Sequence, residues 1–315
     1  MLRPFDLHRP GTVEEACDLL ARLGEDAAAY AGGTELLLLM KEGLLRPRHL
    51  VDVKRLGLDT IGDGDGRVVI GATVTHRAVE RARLVHERAP IVASVARHVA
   101  NVRVRNVGTV GGNLAFADPH SDLATLFVAL DATVDLVSPR GRRTLPLDEF
   151  VRGPWDTARA PDELLTSVTI PPRPGPTAAA YVKFGLHERP ALGIAVVLTF
   201  DAHGDARAPD RHARVSDARV AIGCVNPRPA RAAGAEVRLR GCALTGLEDV
   251  IAEAAARAAE ASDPADDMHG SADYKREMVA VFTRRALRVA AARARSAITG
   301  EREALAPHYP HAVIA

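Results

Sequence analysis

The chain has 315 residues, of which 47% are hydrophobic and 26% are charged, as is ordinary for a globular protein in water. Its 41 basic and 40 acidic residues leave a net charge of +1, so overall charge gives no reason to expect nucleic acid or a membrane surface as a partner. A chain of this length is typical of about two domains.

The N-terminal segment, residues 1–55, predicts a small unit of helices and strands. Thr12 and Glu15 form a capping box, which predicts a helix that ends at Gly24. Three further elements are predicted: a strand over 27–31, a helix over 35–41 and a strand over 50–53. The first of these strands leads directly into a glycine-rich loop.

The middle of the chain, residues 56–170, predicts a mixture of strands and helices. The acidic, glycine-rich residues 62–66 indicate a solvated turn, and 138–141 indicate a hairpin turn. The predicted strands are 67–71, 132–137, 142–145 and 164–170, and the predicted helices are 75–83, 91–99 and a buried one over 122–130.

Residues 171–176 contain four prolines and predict a stiff connector between domains. Beyond it we predict strands over 178–186, 194–200 and 218–225 and helices over 247–261 and 274–297. The resulting domain prediction is a first domain over 1–172 with lobes of 1–55 and 56–172, a second domain over 177–298, and a loose tail over 299–315.

The cysteines and histidines predict no metal centre in this chain. Cys17, Cys224 and Cys242 are too far apart for a disulfide framework, an iron–sulfur cluster or a zinc site, and they are consistent with a reducing cytoplasm. The twelve histidines show no ligand spacing, and no catalytic triad can be assigned. Nor does the N-terminus carry the pattern of a secretion signal.

Two glycine-rich loops are the candidate binding motifs: Ala31-Gly32-Gly33-Thr34-Glu35 and Gly108-Thr109-Val110-Gly111-Gly112-Asn113. Glycine permits a positive φ and a close approach of backbone N–H groups to an anion. Taken alone, the first loop is as compatible with a tight turn as with an anion site. The second is followed by an Asp-Pro-His-Ser-Asp segment over 118–122, a density of special residues that a purely structural turn rarely needs. Two such loops indicate a ligand with more than one phosphate.

These motifs together resemble the FAD-binding medium subunits of the molybdenum hydroxylases, the family that includes carbon monoxide dehydrogenase and xanthine dehydrogenase. The resemblance covers residues 3–295. It rests on the segments Ala31–Thr34, Leu50–Val53, Ile70–Ala72, Arg105–Asn113, Asp118–Asp122, Glu163–Pro171 and Tyr181–Phe184. It implies an α+β protein with a two-lobed FAD-binding fold of the vanillyl-alcohol-oxidase (PCMH) type. A C-terminal domain with a three-stranded antiparallel sheet and helices would follow.

The resemblance also implies roles for the matching positions. The pyrophosphate of FAD would be held by Gly32, Gly33, Thr34 and the backbone of Thr109, Val110, Gly111, Gly112 and Asn113, with Ala31, Glu35, Leu36, Ala117, Asp118 and Ser121 also around the cofactor. Asp122 would approach the ribityl and ring region, Leu164 or Leu165 would pack on the isoalloxazine, and Lys183 would reach the ring. Alternatively, Asp122 caps the helix that starts there, and Lys183 is an exposed strand lysine.

The implied function is that of an oxidoreductase subunit in the xanthine dehydrogenase family, with no catalytic acid or base of its own. Electrons from [2Fe–2S] clusters on a small partner chain would reach FAD here, after substrate oxidation at a molybdopterin centre on a large chain, in a dimer of heterotrimers. Two other functions stay open: a degenerate or stand-alone nucleotide-binding module, and a self-sufficient flavin oxidase. Glu35 and the segment His187–Ala191 depart from the family pattern. Because the second segment lies close to the flavin in the family, its departure leaves the access of the electron acceptor open.

Overall fold

The computed structural model describes residues 2–185, 189–201, 213–300 and 312–315. The chain forms two compact units, each built from two stretches of sequence. The first comprises Met1–Asp118 and Asp131–Pro171, and the second comprises Pro119–Leu130 and Pro172–Ala315.

The first unit contains short strands and helices. Its strands are β1 (Asp6–His8), β2 (Ala27–Tyr30), β3 (His49–Asp52), β4 (Ile61–Gly64), β5 (Arg67–Gly71), β6 (Thr133–Ser138), β7 (Gly141–Pro146), β8 (Val151–Gly153), β9 (Asp156–Thr157) and β10 (Leu164–Ile170). Its helices are α1 (Val13–Leu23), α2 (Leu36–Lys41), α3 (His76–Arg81), α4 (Arg83–Arg88), α5 (Pro90–Arg97), α6 (Val102–Val107), α7 (Val110–Phe116) and α9 (Leu147–Phe150).

Two sheets organise the first unit. The parallel one has the order β1-β3-β2, and the antiparallel one has the order β4-β5-β10-β6-β7. Helix α1 begins after Thr12, whose hydroxyl accepts from the N–H of Glu15, as the capping box predicts. Its apolar face packs in a small core with Val51 of β3 and Leu164 of β10. Burial of this face ties the N-terminal residues to the larger sheet.

The second unit is an antiparallel sheet covered on both faces. Its strands are β11 (Thr177–Phe184), β12 (Leu192–Phe200), β13 (Val215–Gly223), β14 (Ala230–Arg231) and β15 (Ala312–Ile314), in the order β14-β13-β12-β11-β15. Its helices are α8 (Asp122–Ala129), α10 (Ala233–Leu239), α11 (Leu247–Glu260) and α12 (Ala272–Thr299). Every residue of β12 is buried, because α8 covers one face of the sheet and α10 to α12 cover the other.

Most predicted elements are confirmed to within a few residues, and β5 and β10 have the predicted bounds. The differences are short elements. Strand β4 occupies much of the segment predicted as a solvated turn, and β14 and β15 extend the predicted three-stranded sheet at its edges. Because β15 pairs with β11, the last residues are a strand where a loose tail is predicted. The physical reason is long-range pairing, which leaves no local pattern in so short a segment.

Candidate functional site

The first glycine loop connects β2 to α2 and lies directly against the second one. Gly33 has a φ of +70°, a conformation that favours glycine. A Cβ added at Gly32 would overlap the carbonyl oxygen of Val107 and lie 3.1 Å from the Cα of Gly108. The structure therefore brings together, inside one unit, two loops that are 75 residues apart in the sequence.

Backbone donors are available in the first loop. The N–H groups of Gly32, Gly33 and Thr34 have no acceptor among the residues that the structure describes. Ala31 packs beside the core of α1, Glu35 precedes the first residue of α2 without capping it, and Leu36 begins that helix. Neighbouring unpaired N–H groups in a glycine turn suit an anion such as a phosphate.

The second glycine segment is not the open loop that the sequence predicts, because helix α7 begins within it. Thr109 is the N-cap residue. Four N–H groups expected at the pyrophosphate have acceptors in the chain: Val110 donates to Val74 O at 2.9 Å, Gly111 to Ala72 O at 2.9 Å, Gly112 to Thr109 Oγ1 at 3.1 Å and Asn113 to Thr109 O at 2.9 Å. These bonds hold the loop in shape, and the expectation that the same N–H groups hold a pyrophosphate stays a prediction.

Gly111 has a packing role. A Cβ at this position would lie 2.5 Å from the Cβ of Ala72 and 2.7 Å from the carbonyl oxygen of Ala72. Glycine lets the first turn of α7 approach the segment after β5 closely enough for the Gly111 N–H to be bonded there. A larger residue at 111 would thus move the whole segment, whether or not an anion is bound.

The residues that follow α7 belong to two units. Ala117 ends the helix in a left-handed conformation with φ +51°, and its carbonyl oxygen accepts from the N–H of Trp155 at 2.9 Å. Asp118 is the last residue of this stretch of the first unit. Ser121 lies in the second unit, where its hydroxyl accepts from the N–H of Ala124 as the N-cap of α8.

Asp122 and Lys183, both predicted to lie near the flavin, form an ion pair in the second unit. Lys183 Nζ donates to Asp122 Oδ2 at 2.7 Å, and the hydroxyl of Tyr181 donates to Asp122 Oδ1 at 2.9 Å. The Asp122 side chain is 5% exposed and that of Lys183 is 14% exposed. Both alternatives from the sequence are therefore wrong: Ser121 is the helix cap, and Lys183 is not an exposed strand lysine.

Leu164 and Leu165 are both buried at the start of β10. Leu164 packs in the core around α1, with Cys17 among its neighbours. Because successive strand side chains point to opposite faces, Leu165 lies on the other face. The packing of Leu164 or Leu165 on a flavin ring stays a prediction.

A buried histidine supports the second loop, although no sequence motif singles it out. His76 is 2% exposed, and its backbone N–H donates to the carbonyl of Gly108 at 3.0 Å. Its Nδ1 has no hydrogen-bond partner within the described residues. Burial, with Arg105 as a nearby cation, lowers the pKa of His76 to about 4. The ring is therefore neutral near pH 7.

Comparison with known proteins decides the family. The model described as "FAD binding domain in molybdopterin dehydrogenase" matches residues 3–173, and "CO dehydrogenase flavoprotein C-terminal domain" matches 187–290. The carbon monoxide dehydrogenase medium chain of Hydrogenophaga pseudoflava is 35% identical over 292 residues, which cover 92% of this chain and 98% of that relative. The chain belongs to the FAD-binding medium-subunit family of the molybdenum hydroxylases.

Further relatives extend this family. The nicotine 6-hydroxylase medium subunit of Paenarthrobacter nicotinovorans is 34% identical, over 90% of this chain and 96% of that subunit. A solved carbon monoxide dehydrogenase from Hydrogenophaga pseudoflava superposes with a TM-score of 0.85 at 35% identity, over 93% of this chain and 99% of its counterpart. The mixed helix-and-sheet fold and the assignment to the oxidoreductases predicted from the sequence are confirmed.

Medium subunits of this family carry an FAD-binding domain, and the residues of this chain fit that cofactor. The three unpaired N–H groups of the first loop suit its phosphates, and the partly buried ammonium of Lys183 suits an electron-rich ring. Residues 187 and 188 of the divergent His187–Ala191 segment lie outside the described residues.

Two negative findings concern only the part of the chain that the structure describes. No group of three or more histidine, cysteine or acidic side chains could hold a metal ion there. Within the same residues, no helix has the length and hydropathy needed to cross a bilayer.

Proposed function

We propose that this chain binds FAD and is the electron-transfer subunit of a molybdenum-containing hydroxylase or dehydrogenase. Its contribution would be to bind and tune the cofactor, a mechanism that requires no acid–base pair from the protein. When bound, FAD supplies the redox chemistry, since its ring can accept electrons and pass them to an acceptor. The observation that carries the proposal is the contact between the two glycine loops, with unpaired N–H donors in the first.

The first loop would bind the pyrophosphate. The N–H groups of Gly32, Gly33 and Thr34 are neutral donors, so they offer phosphate oxygens hydrogen bonds without an arginine clamp. The second loop would hold the first in place through the packing of Val107 and Gly108 against Gly32. Other residues of the two segments that we propose around the cofactor are Ala31, Glu35, Leu36, Thr109, Asn113, Ala117, Asp118 and Ser121.

The ring would be tuned by Lys183, with Asp122 beside it and Leu165 as an apolar contact. A cation near the flavin stabilises the negative charge of the reduced ring, which raises its reduction potential. Asp122 keeps the ammonium in one position, because a buried charge without a partner is costly.

We further propose the assembly and location. The named relatives are medium chains or subunits of larger enzymes, which supports a large molybdopterin-binding partner and a small [2Fe–2S] partner, arranged as a dimer of heterotrimers in the cytoplasm. Within this chain, residues 1–172 would form the FAD-binding domain and 177–298 the C-terminal domain. Substrate oxidation would take place on the large partner.

The test is the visible spectrum of the purified full-length chain. We expect a yellow protein with one FAD per chain that stays oxidised when candidate substrates are added alone. Addition of large and small partner chains should permit reduction by the substrate. A chain that takes up no FAD would contradict the proposal, and reduction by an organic substrate without any partner would indicate a self-sufficient oxidase.

A further inference from the structure

A buried polar cluster in the second unit extends beyond the Asp122–Lys183 pair. It includes Tyr181, whose side chain lies on the same face of β11 as Lys183, because the two are separated by one residue. Tyr181 is 2% exposed, and both side chains donate to the carboxylate of Asp122. The hydroxyl of Thr125, one turn further along α8, lies beside the Tyr181 phenol and donates to the carbonyl of Ser121 at 3.2 Å.

The neighbouring strands leave room for this cluster. Gly193 of β12 pairs in register with Lys183 and with Gly223 of β13, so three adjacent strands form one row. A Cβ at Gly193 would collide with the Tyr181 hydroxyl, and a Cβ at Gly223 would collide with the hydroxyl of Thr125. Glycine in a strand interior lowers stability, so its presence twice in one row marks a site where something approaches closely.

The hydrogen bonds of this cluster have defined donors and acceptors. Burial, reinforced by the nearby Asp122 carboxylate, raises the pKa of Tyr181 well above its ordinary value, so the phenol keeps its proton. A protonated phenol has a single hydrogen to donate, and this hydrogen is given to Asp122 Oδ1. The other oxygen of the carboxylate then faces Lys183.

We propose that Tyr181 is a positioning residue that acts through Asp122 to fix the ammonium of Lys183 for the flavin. This inference rests on the proposed function, since it takes Lys183 to be the group that tunes the ring. Tyr181 itself need not touch the cofactor. Its hydrogen bond holds the carboxylate in one rotamer and shares its charge, which leaves more of the field of the ammonium available to the ring.

The decisive variant is Tyr181→Phe, which keeps the buried ring and removes the hydroxyl. In the FAD-loaded full chain, we expect reduced FAD to bind about tenfold less tightly relative to oxidised FAD. That change lowers the two-electron midpoint potential by about 30 mV in a spectroelectrochemical titration. Tyr274→Phe is the matched control, because Tyr274 is 44% exposed near the start of α12 in the same unit, and its potential should equal that of the wild type.

A double-mutant cycle separates positioning from a merely structural role. Lys183→Met should lower the potential by itself, and adding Tyr181→Phe in that background should cause no further shift. A structural role would instead lower the melting temperature and the FAD content equally in both backgrounds. Should Tyr181→Phe fail to fold, Thr125→Val removes the hydroxyl beside the same phenol and should shift the potential in the same direction.

The outcomes distinguish the two proposals. Wild-type chain that takes up no FAD contradicts the proposed function and this inference together. If the wild type binds FAD and Tyr181→Phe has an unchanged potential, or an equal shift with and without Lys183, only the role of Tyr181 is refuted.

Discussion

His76 gives the sharpest prediction on stability, because the fold disfavours protonation of its ring. The ring lies under the second glycine loop, and a Cβ at Gly108 would be 3.2 Å from His76 Cδ2. Arg105 is nearby and donates to the carbonyls of Val99 and Ala100 at 3.0 Å. The Nε of Arg105 lies 3.9 Å from Oε2 of Glu80. Protonation of His76 would add a second buried cation to this cluster.

The magnitude follows from the pKa. A folded pKa of about 4 against 6.5 for a free histidine corresponds to about 3 kcal/mol, at 1.36 kcal/mol per unit. Between pH 6.5 and about 4 the unfolded chain binds this proton and the folded chain does not. The free energy of unfolding therefore falls as the pH drops through this window, and below about pH 4 this group causes no further loss.

The assay is urea unfolding of the wild type and His76→Met at several pH values from 7.5 to 4. Carboxylates with a lowered pKa, such as Glu163 and Asp267, also make the protein less stable in acid. Both proteins contain them, so their contribution cancels in the difference between the two free energies of unfolding. We expect the wild type to lose about 3 kcal/mol more than the variant. His86→Met, at an exposed site on α4, should follow the wild-type curve. Equal pH dependences of wild type and His76→Met would refute the argument.

Two glycine substitutions test the packing at the proposed cofactor loop and at the tyrosine cluster. Gly32→Ala should lower the FAD content and cost about 1–3 kcal/mol of stability, because the added Cβ overlaps the last carbonyl of α6. The control Gly62→Ala, whose Cβ meets open space, should change neither quantity. Flavin release measures the FAD content, and melting curves measure the stability. Gly223→Ala should be destabilising by a similar amount through its collision with Thr125, whereas Gly246→Ala should leave the melting temperature nearly unchanged. Full FAD in Gly32→Ala, or wild-type melting of Gly223→Ala, would contradict these assignments.

The sequence predicts well those elements whose signal is local. The alternation and β-branched content of residues 67–71 and 164–170 suffice to define β5 and β10. Helix α7 is missed because two consecutive glycines disfavour a helix by about 1 kcal/mol each. Their close neighbours, Ala72 for Gly111 and the hydroxyl of Thr109 for Gly112, are visible only in the structure. Strand β1 is missed because its three residues pair with His49–Val51, far along the chain.

The candidate site is predictable in its residues but not in their contacts. Lys183 and Asp122 can be chosen from the sequence, yet their ion pair joins residues 61 positions apart. The part played by Tyr181 has no local signal at all, because it depends on α8 packing across β12 and β13. His76 is equally hidden, since a histidine on a short helix gives no sign of its burial.

The two glycine loops differ in what glycine does for them. In the first, Gly33 needs a left-handed conformation, and the adjacent N–H groups stay without acceptors among the described residues. In the second, Gly108 and Gly111 have close neighbours instead: a Cβ at Gly108 would lie 2.9 Å from Val104 O, and one at Gly111 would press on Ala72. In the function that we propose, the loop with the richer motif is therefore the support, and the loop with the weaker motif presents the donors. The plain Ala-Gly-Gly-Thr turn is thus the better target for a variant meant to weaken phosphate binding.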